Sequence, residues 1–391
     1  MAGVSGTFST YQGKLLRDAA AGHPPPCPCD GTELEDAAAK VLAPGPFGYV
    51  AGGAGSGDTL RANRAAFARY RLVPRMLRKT QPELRTSLLG KEMAAPVLLA
   101  PIGVQSIVHP EGELAVARAA AETGVTMIVA SPASYSLEEV AAANGDGDRW
   151  YQLYQPDDPE VCLSILDRAK RAGFTALVVT VDTPRFGWRP SDLDQGFAPT
   201  LRGIGAATAF SDPVFRARLA QPPEQDLDAA VRLWQQMFTG TGRSWDELAF
   251  LRANWAGPLL VKGILHADDA RAARDAGADG VVVSNHGGRQ IDGALAALDA
   301  LPAVAKAVGD ELAVLLDSGV RTGSDVLKAL ALGADAVAVG RPYLYGLALN
   351  GQSGVGHVIR SVLADAEVTL GLLGAETVLD LGERHLHKIG G

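Results

Sequence analysis

Gly280-Val-Val-Val-Ser284-Asn285-His286-Gly287-Gly288-Arg289-Gln290 follows a Gly277-Ala-Asp turn and sets three valines ahead of a run of polar groups. An uninterrupted β-branched run reads as a parallel strand covered on both faces, with its polar side chains delivered at the C-terminal end. In a parallel α/β barrel the ligand sits where strands finish, which makes His286 and Arg289 a candidate base and anion clamp. Taken alone, the stretch reads equally well as a turn histidine capping a strand. Its neighbours decide.

Outward from it, short β-rich runs alternate with helical runs, often Ala-rich. Strands are expected over 96–103, 127–131, 150–155, 176–182, 259–263, 280–286, 313–319 and 336–340. Each is followed by a helical pattern except the fourth, where the stretch from about 183 to 257 is too long for an ordinary connection and reads as a lid. Eight strand and helix units predict a closed TIM (β/α)₈ barrel, about 94–375. The competing open doubly wound sheet lacks its glycine-rich dinucleotide fingerprint after the first strand.

Ahead of the barrel, residues 33–42 and 59–70 carry helical spacing, with Pro44 and Pro46 read as stopping the first helix before the glycine-rich 47–55. Residues 1–32 show no sustained periodicity and read as an extended N-terminal arm. The remainder, 33–391, reads as one domain. Within the lid, Ser244-Trp-Asp-Glu247 has the pattern of a capping box.

The 391 residues are 47% hydrophobic and 20% charged, with a net charge of -8, enough for a large buried core. The acidic balance argues against nucleic acid or an anionic membrane as principal partner. There is no run of the roughly 18 to 20 apolar residues a membrane span needs and no signal pattern, so the expected location is the cytoplasm. Three cysteines give no disulfide framework. Cys27-Pro-Cys29 is too sparse for a metal site and reads as incidental thiols in the arm.

The strand ends collect the chemistry. The first closes on Pro101-Ile102-Gly103, where the missing Cβ lets a flat ligand approach. Gln152 and Tyr154 share one face of the third strand, Thr180 and Asp182 one face of the fourth, and Arg189 lies just beyond. Lys262 stands among apolar neighbours, so it either pairs with a carboxylate or faces an electron-rich ligand. Asp317-Ser318-Gly319-Val320-Arg321 and Gly340-Arg341-Pro342 match the phosphate site that such barrels build after strands seven and eight. Arg189 and Arg289 could grip a small carboxylate while His286, made more basic by Asp182, takes a hydroxyl proton. Asp182 could equally be a turn cap, and Tyr49 either a packing residue or a site hydroxyl.

Ser284-Asn-His-Gly-Gly-Arg-Gln290, Leu260-Val-Lys-Gly263, Thr180-Val-Asp-Thr-Pro184, Asp317-Ser-Gly-Val-Arg321 and Gly340-Arg-Pro342, in that order, resemble the FMN-dependent α-hydroxy-acid oxidase family, over nearly the whole chain from Glu33. Within it, Tyr49-Val-Ala-Gly-Gly-Ala-Gly55, Pro74-Arg-Met-Leu77, Trp188-Arg-Pro190 and the long lid are most similar to lactate 2-monooxygenases. The resemblance implies FMN held by Pro101, Ile102, Gly103, Gln152, Thr180, Lys262 and Ser284, with Asp317, Ser318, Gly319, Arg321, Gly340 and Arg341 towards its phosphate. It implies His286 as base with Asp182 as partner, and substrate contacts from Tyr49, Tyr154, Arg189 and Arg289.

The implied reaction is oxidation of a short L-2-hydroxy acid, L-lactate foremost, with O₂ as acceptor and oxidative decarboxylation of the retained product. The alternatives are release of the 2-oxo acid and hydrogen peroxide, and a non-catalytic flavin-binding barrel. Glycine at 103, where family oxidases commonly carry alanine, and the long lid favour retention. A homotetramer or homo-octamer is implied as well. Three departures from the family pattern stand out: Ala130 with Ser131 beside it, Pro132, and Pro184-Arg-Phe186.

Overall fold

The computed structural model describes residues 7–238 and 244–389. Eight parallel strands close into a barrel: β1 (Val97–Leu99), β2 (Thr126–Ala130), β3 (Arg149–Leu153), β4 (Leu177–Thr180), β5 (Leu259–Ile264), β6 (Gly280–Val283), β7 (Ala313–Leu316) and β8 (Ala336–Val339). Each pairs with its neighbour in sequence and β8 pairs with β1, so no strand edge is left open.

Residues two apart on a strand face the same way, and this divides the strands' side chains between two cores. Leu98, Ile128, Trp150, Val178, Leu260, Val282 and Leu315 fill the barrel interior. Val97, Leu99, Met127, Val129, Leu177, Val179, Val261, Val281 and Val283 belong to the larger outer core, packed under the helices. Burial on both faces is the reason the strands read as unbroken apolar runs.

Before the barrel come α1 (Thr10–Ala20), α2 (Leu34–Ala39), α3 (Pro44–Ala51) and α4 (Asp58–Ala68). Crossovers are α5 (Gly112–Thr123), α6 (Leu137–Asn144) and α7 (Pro159–Arg171). The segment after β4 carries α8 (Pro190–Asp194), α9 (Ala207–Phe210), α10 (Pro213–Arg216), α11 (Leu227–Met237) and α12 (Trp245–Asn254). The outer layer is completed by α13 (Ala267–Asp275), α14 (Ala297–Val308), α15 (Gly323–Ala331) and α16 (Arg341–Leu372). Among the described residues no helix is long and apolar enough to cross a membrane.

Three local expectations are corrected. The arm is not extended: α1 docks on α16 through Tyr11 Oη to His357 Nδ1 at 2.8 Å and Ser9 N to Glu367 Oε2 at 2.6 Å. It fully buries no residue, so it carries no apolar stripe for periodicity to detect. Pro44 opens a helix as well as ending the stretch before it, because a first-turn position needs no N–H. Ser244 precedes α12, but its side chain makes no cap bond, so the capping-box pattern is not realised. Of the two arm thiols, Cys29 is exposed, whereas Cys27 is packed into the outer core and pushed up to about 12 by burial.

Leu260 lies fully inside the barrel. Its truncation in Leu260→Ala removes transfer energy and opens a cavity in a closed wall, so a loss of about 2–5 kcal/mol is expected, seen as a lower urea midpoint with an unchanged m-value.

Candidate active site

One register step above the interior apolar residues, the same inward-facing positions change character. Leu98 is followed two residues on by Ala100, Ile128 by Ala130, Trp150 by Gln152, Val178 by Thr180, Leu260 by Lys262, Val282 by Ser284, Leu315 by Asp317 and Ala338 by Gly340. The barrel therefore ends in a layer of small and polar groups resting on hydrocarbon. The register sets Thr180 beside Lys262 and Lys262 beside Val282.

Lys262 is fully enclosed, with Nζ 3.2 Å from Asp317 Oδ2 and 3.0 Å from Ser284 Oγ. Burial alone would lower its pKa, but Asp317 and Asp182 outweigh this and hold it above the ordinary lysine value. Ser284 Oγ also accepts from His286 N at 3.0 Å. On the other side Ser318 Oγ donates to Asp317 Oδ1 at 2.8 Å and accepts from Gly287 N at 3.0 Å. Thus a chain of bonds runs from the His286 backbone through Ser284, Lys262, Asp317 and Ser318 back to Gly287.

His286 Nδ1 lies 2.9 Å from Asp182 Oδ1. Burial pushes the imidazole below its ordinary value; Asp182 opposes this, and Lys262 adds to it. Burial would raise Asp182 in turn, but its contact with His286 and the Lys262 charge bring its carboxyl below the usual range. A neutral imidazole with one nitrogen on a carboxylate leaves the other free to accept a proton. Asp182 has room because β5 bulges between Lys262 and Ile264: at Gly263, with φ +111°, a Cβ would stand 2.6 Å from the Asp182 Cβ.

Arg289 and Arg341 are held by the open C-terminal turn of α3, whose last carbonyls lack helical partners. Arg289 donates to Tyr49 O and, at 3.1 Å, to Gly52 O, and lies 4.9 Å from the Tyr49 ring centroid. Arg341 donates to Val50 O, Gly52 O and Gly287 O at 2.8–2.9 Å. Arg189 donates to Arg289 O at 3.1 Å and Gln290 Oε1 at 3.0 Å. Burial, with Arg289 nearby, pushes Arg189 down to about 10, which leaves it charged at neutral pH. Among the described residues neither Arg189 nor Arg289 has a carboxylate within ion-pair distance, so both remain able to take an external anion.

These groups surround a cavity of about 530 Å³. Of the residues singled out in the sequence, Tyr49, Pro101, Ile102, Gly103, Gln152, Tyr154, Arg189, Lys262, His286, Arg289, Asp317, Ser318, Gly319, Arg321, Gly340 and Arg341 line it. Asp182, Thr180 and Ser284 do not. Asp182 stands behind His286, Ser284 is enclosed beneath Lys262, and Thr180 lines a smaller adjoining cavity of about 100 Å³. Lys262 satisfies both alternatives left by the sequence, pairing with Asp317 while also facing the cavity.

Trp234 and Phe238, one helical turn apart at the end of α11, also line the cavity, on its lid side, and carry no strand-end signal. Their i, i+4 spacing was available, but it indicates a buried face without saying what the face covers. Ser131, beside Ala130 where the chain departs from the family pattern, ties two strand ends: its N–H donates to Gln152 Oε1 at 3.1 Å and its hydroxyl to Gln152 O at 2.9 Å.

Three observations fit a flat polar ring with an anionic tail. The Gln152 amide nitrogen, in the cavity wall, is buried without a partner. At Gly340 an added Cβ would meet nothing closer than 3.7 Å, leaving the backbone open to the cavity. Arg321 and Arg341 are buried without a carboxylate in ion-pair range among the described residues; burial lowers both, Arg341 to about 10. A dianion placed between them would remove that strain.

Comparison with known proteins agrees with this chemistry. Residues 38–388 match the family model of FMN-dependent dehydrogenases. An FMN-dependent alpha-hydroxy acid dehydrogenase of Penicillium citrinum is 46% identical over 98% of this chain and 96% of its own. An L-lactate oxidase of Lysinibacillus sphaericus is 44% identical over 90% of this chain and 91% of its own. A crystal structure of mandelate oxidase superposes with a TM-score of 0.81 at 39% identity, covering 93% of this chain and 99% of that one.

Arg321 offers a test that separates folding from ligand binding, since its guanidinium bonds only to Val320 O, at 3.0 Å, among the described residues. Arg321→Met should leave the melting temperature of the flavin-free chain level or higher while weakening FMN binding at least ~10-fold, measured by fluorescence titration.

Proposed function

The chain belongs to the FMN-dependent dehydrogenase family, and on that premise we propose that it oxidises an L-2-hydroxy carboxylate, L-lactate among the substrates, to the 2-oxo acid with O₂ as acceptor. The observation that carries this is the convergence of His286 with its Asp182 contact and two guanidiniums, Arg189 and Arg289, that have no carboxylate in ion-pair range among the described residues, on one cavity. The names of relatives at 40–44% identity, L-lactate oxidases from three bacteria, support lactate as the substrate to begin with.

Arg189 and Arg289 bind the substrate carboxylate through their donor forks and fix the orientation of the α-carbon. Tyr49 and Tyr154 line the same end and offer hydroxyls to the carboxylate. His286 takes the hydroxyl proton on Nε2, and Asp182 at Nδ1 fixes the tautomer and stabilises the imidazolium that forms. Bound FMN supplies the two-electron acceptor between substrate and O₂. Lys262, kept protonated by Asp317 and lining the cavity, would help hold the cofactor with a fixed positive charge.

Gly103 does not by itself favour retention of the product. Its Cβ would stand 2.6 Å from Pro132 Cγ and 2.7 Å from Pro132 O, so glycine is required here by packing whatever the fate of oxygen. Release of the 2-oxo acid with hydrogen peroxide is therefore the first reading. Retention and decarboxylation are the second, supported by Trp234 and Phe238 on the lid side of the cavity. Aerobic turnover of L-lactate should give pyruvate and peroxide in equal amounts; acetate and carbon dioxide in their place would establish the second reading. No flavin bleaching by any 2-hydroxy acid under anaerobic conditions would sink both.

Since burial holds His286 below the ordinary histidine value, the base is neutral at neutral pH and becomes protonated only as pH falls. The profile of kcat/KM should lose activity on the acid side with an apparent pKa under about 6.5. In His286→Ala that acid limb should vanish and the rate of flavin reduction should fall by about 10²–10⁴-fold.

A further inference from the structure

The loop that carries His286 has an unusual backbone. His286, Gly287 and Gly288 lie at φ +57°, +67° and +76°, three consecutive residues in the left-handed region. Glycine adopts this readily, whereas histidine needs its surroundings to hold it there. Barrel pairing ends at Val283, so ladder hydrogen bonds do not extend over these three residues.

Ser284 and Ser318 at the strand ends accept from His286 N and Gly287 N, and a second restraint, on the flanking Asn285 and Gly288, comes from α4, which lies outside the barrel. Asn63 Nδ2 donates to Asn285 Oδ1 at 2.8 Å, and Asn285 Nδ2 donates to Asn63 Oδ1 at 2.8 Å. Both side chains are buried. Three further valences of this reciprocal amide pair are spent on the loop and the start of α14 that follows it. Gly288 N donates to Asn285 Oδ1 at 3.1 Å, Asn285 Nδ2 to Leu295 O at 3.1 Å, and Ala297 N to Asn63 Oδ1 at 3.2 Å.

Further contacts fix α4 itself to the loop. Asp292 accepts from the N–H groups of Ser56, Asp58 and Thr59, and Thr59 Oγ1 donates to Ile291 O at 2.9 Å. Gly288 approaches so closely that a Cβ there would sit 2.7 Å from Leu60 N. A primary amide is suited to the Asn63 position because it both gives and accepts a bond in one plane; alanine does neither, and aspartate only accepts.

We infer that Asn63 is a positioning residue for His286: through Asn285 it holds the left-handed turn that sets the imidazole against Asp182. The inference rests on His286 being the base. Asn63 itself does not line the cavity and touches none of the reacting groups.

The test uses the full chain loaded with FMN and has two readouts. In ¹⁵N-histidine NMR, the His286 signals, assigned by their loss in His286→Gln, should show a single tautomer with the proton on Nδ1 towards Asp182. In Asn63→Ala and Asn63→Asp they should show two tautomers in exchange. Flavin reduction by saturating L-lactate should slow at least ~10-fold with FMN content unchanged and KM shifted by less. Lys328→Met is the control, since it cuts a different tie to α4, the 3.0 Å bond from Lys328 Nζ to Phe67 O. It should lower the melting temperature and leave the histidine signals alone.

Wild-type histidine signals in a folded Asn63 variant would overturn the inference, as would equal disturbance by Lys328→Met. If Asn63→Ala fails to fold, Asn63→Asp decides. Absence of flavin reduction in the wild type would refute the functional reading instead, with the histidine signals still deciding the role of Asn63.

Discussion

An ammonium group enclosed at the top of a barrel of aliphatic side chains must be met by negative charge or lose its proton, and Lys262 is met by Asp317 and, more distantly, Asp182. That requirement organises the rim. Asp317 is at the inward position of β7 because Lys262 is at the inward position of β5, and Ser284 between them bonds both the lysine and the His286 backbone. The base therefore stands on a hydrogen-bonded network whose anchor is one buried cation. Moving any member alone would leave a buried polar group without its partner.

Closure of the barrel places the roots of the loops but not their tips. The tips are secured in part by neighbouring strand ends and in part from outside, by elements that precede the barrel in sequence. The last turn of α3 receives Arg289 and Arg341 on its unpaired carbonyls, and α4 receives the loop after β6 through the Asn63 and Asn285 amides. Parts of the chain far from the reacting groups thus determine which way those groups point, the arrangement a precise site requires.

Much of this was legible in the sequence because the signals were periodic or chemically specific. Apolar runs of the length of a strand, each ending in polar residues, gave the barrel, and the two-residue step from Leu260 to Lys262 or from Leu315 to Asp317 pointed to the rim. What was not legible lacked such a signal. The helix α1 buries no residue fully and hides in a polar segment. Asn63 is one amide in a helix of ordinary composition, and its meaning depends on a partner 222 residues away. Gly103 was legible but ambiguous: likeness tied it to the fate of oxygen, whereas contact with Pro132 gives it a packing reason. Thr180 and Ser284 were legible as strand-end residues, yet only the three-dimensional arrangement sets them behind the cavity wall.

The two arginines buried near the end of the barrel, Arg321 and Arg341, also bear on how far the chain favours its folded form. Enclosing these charges with no carboxylate in ion-pair range among the described residues leaves a deficit, and a ligand that binds only the folded form makes it up by mass action. The ratio of folded to unfolded chain then rises with the concentration of free cofactor relative to its dissociation constant. Binding of the cofactor's anionic end at these two arginines would thus contribute to the stability of the fold as well as to the chemistry.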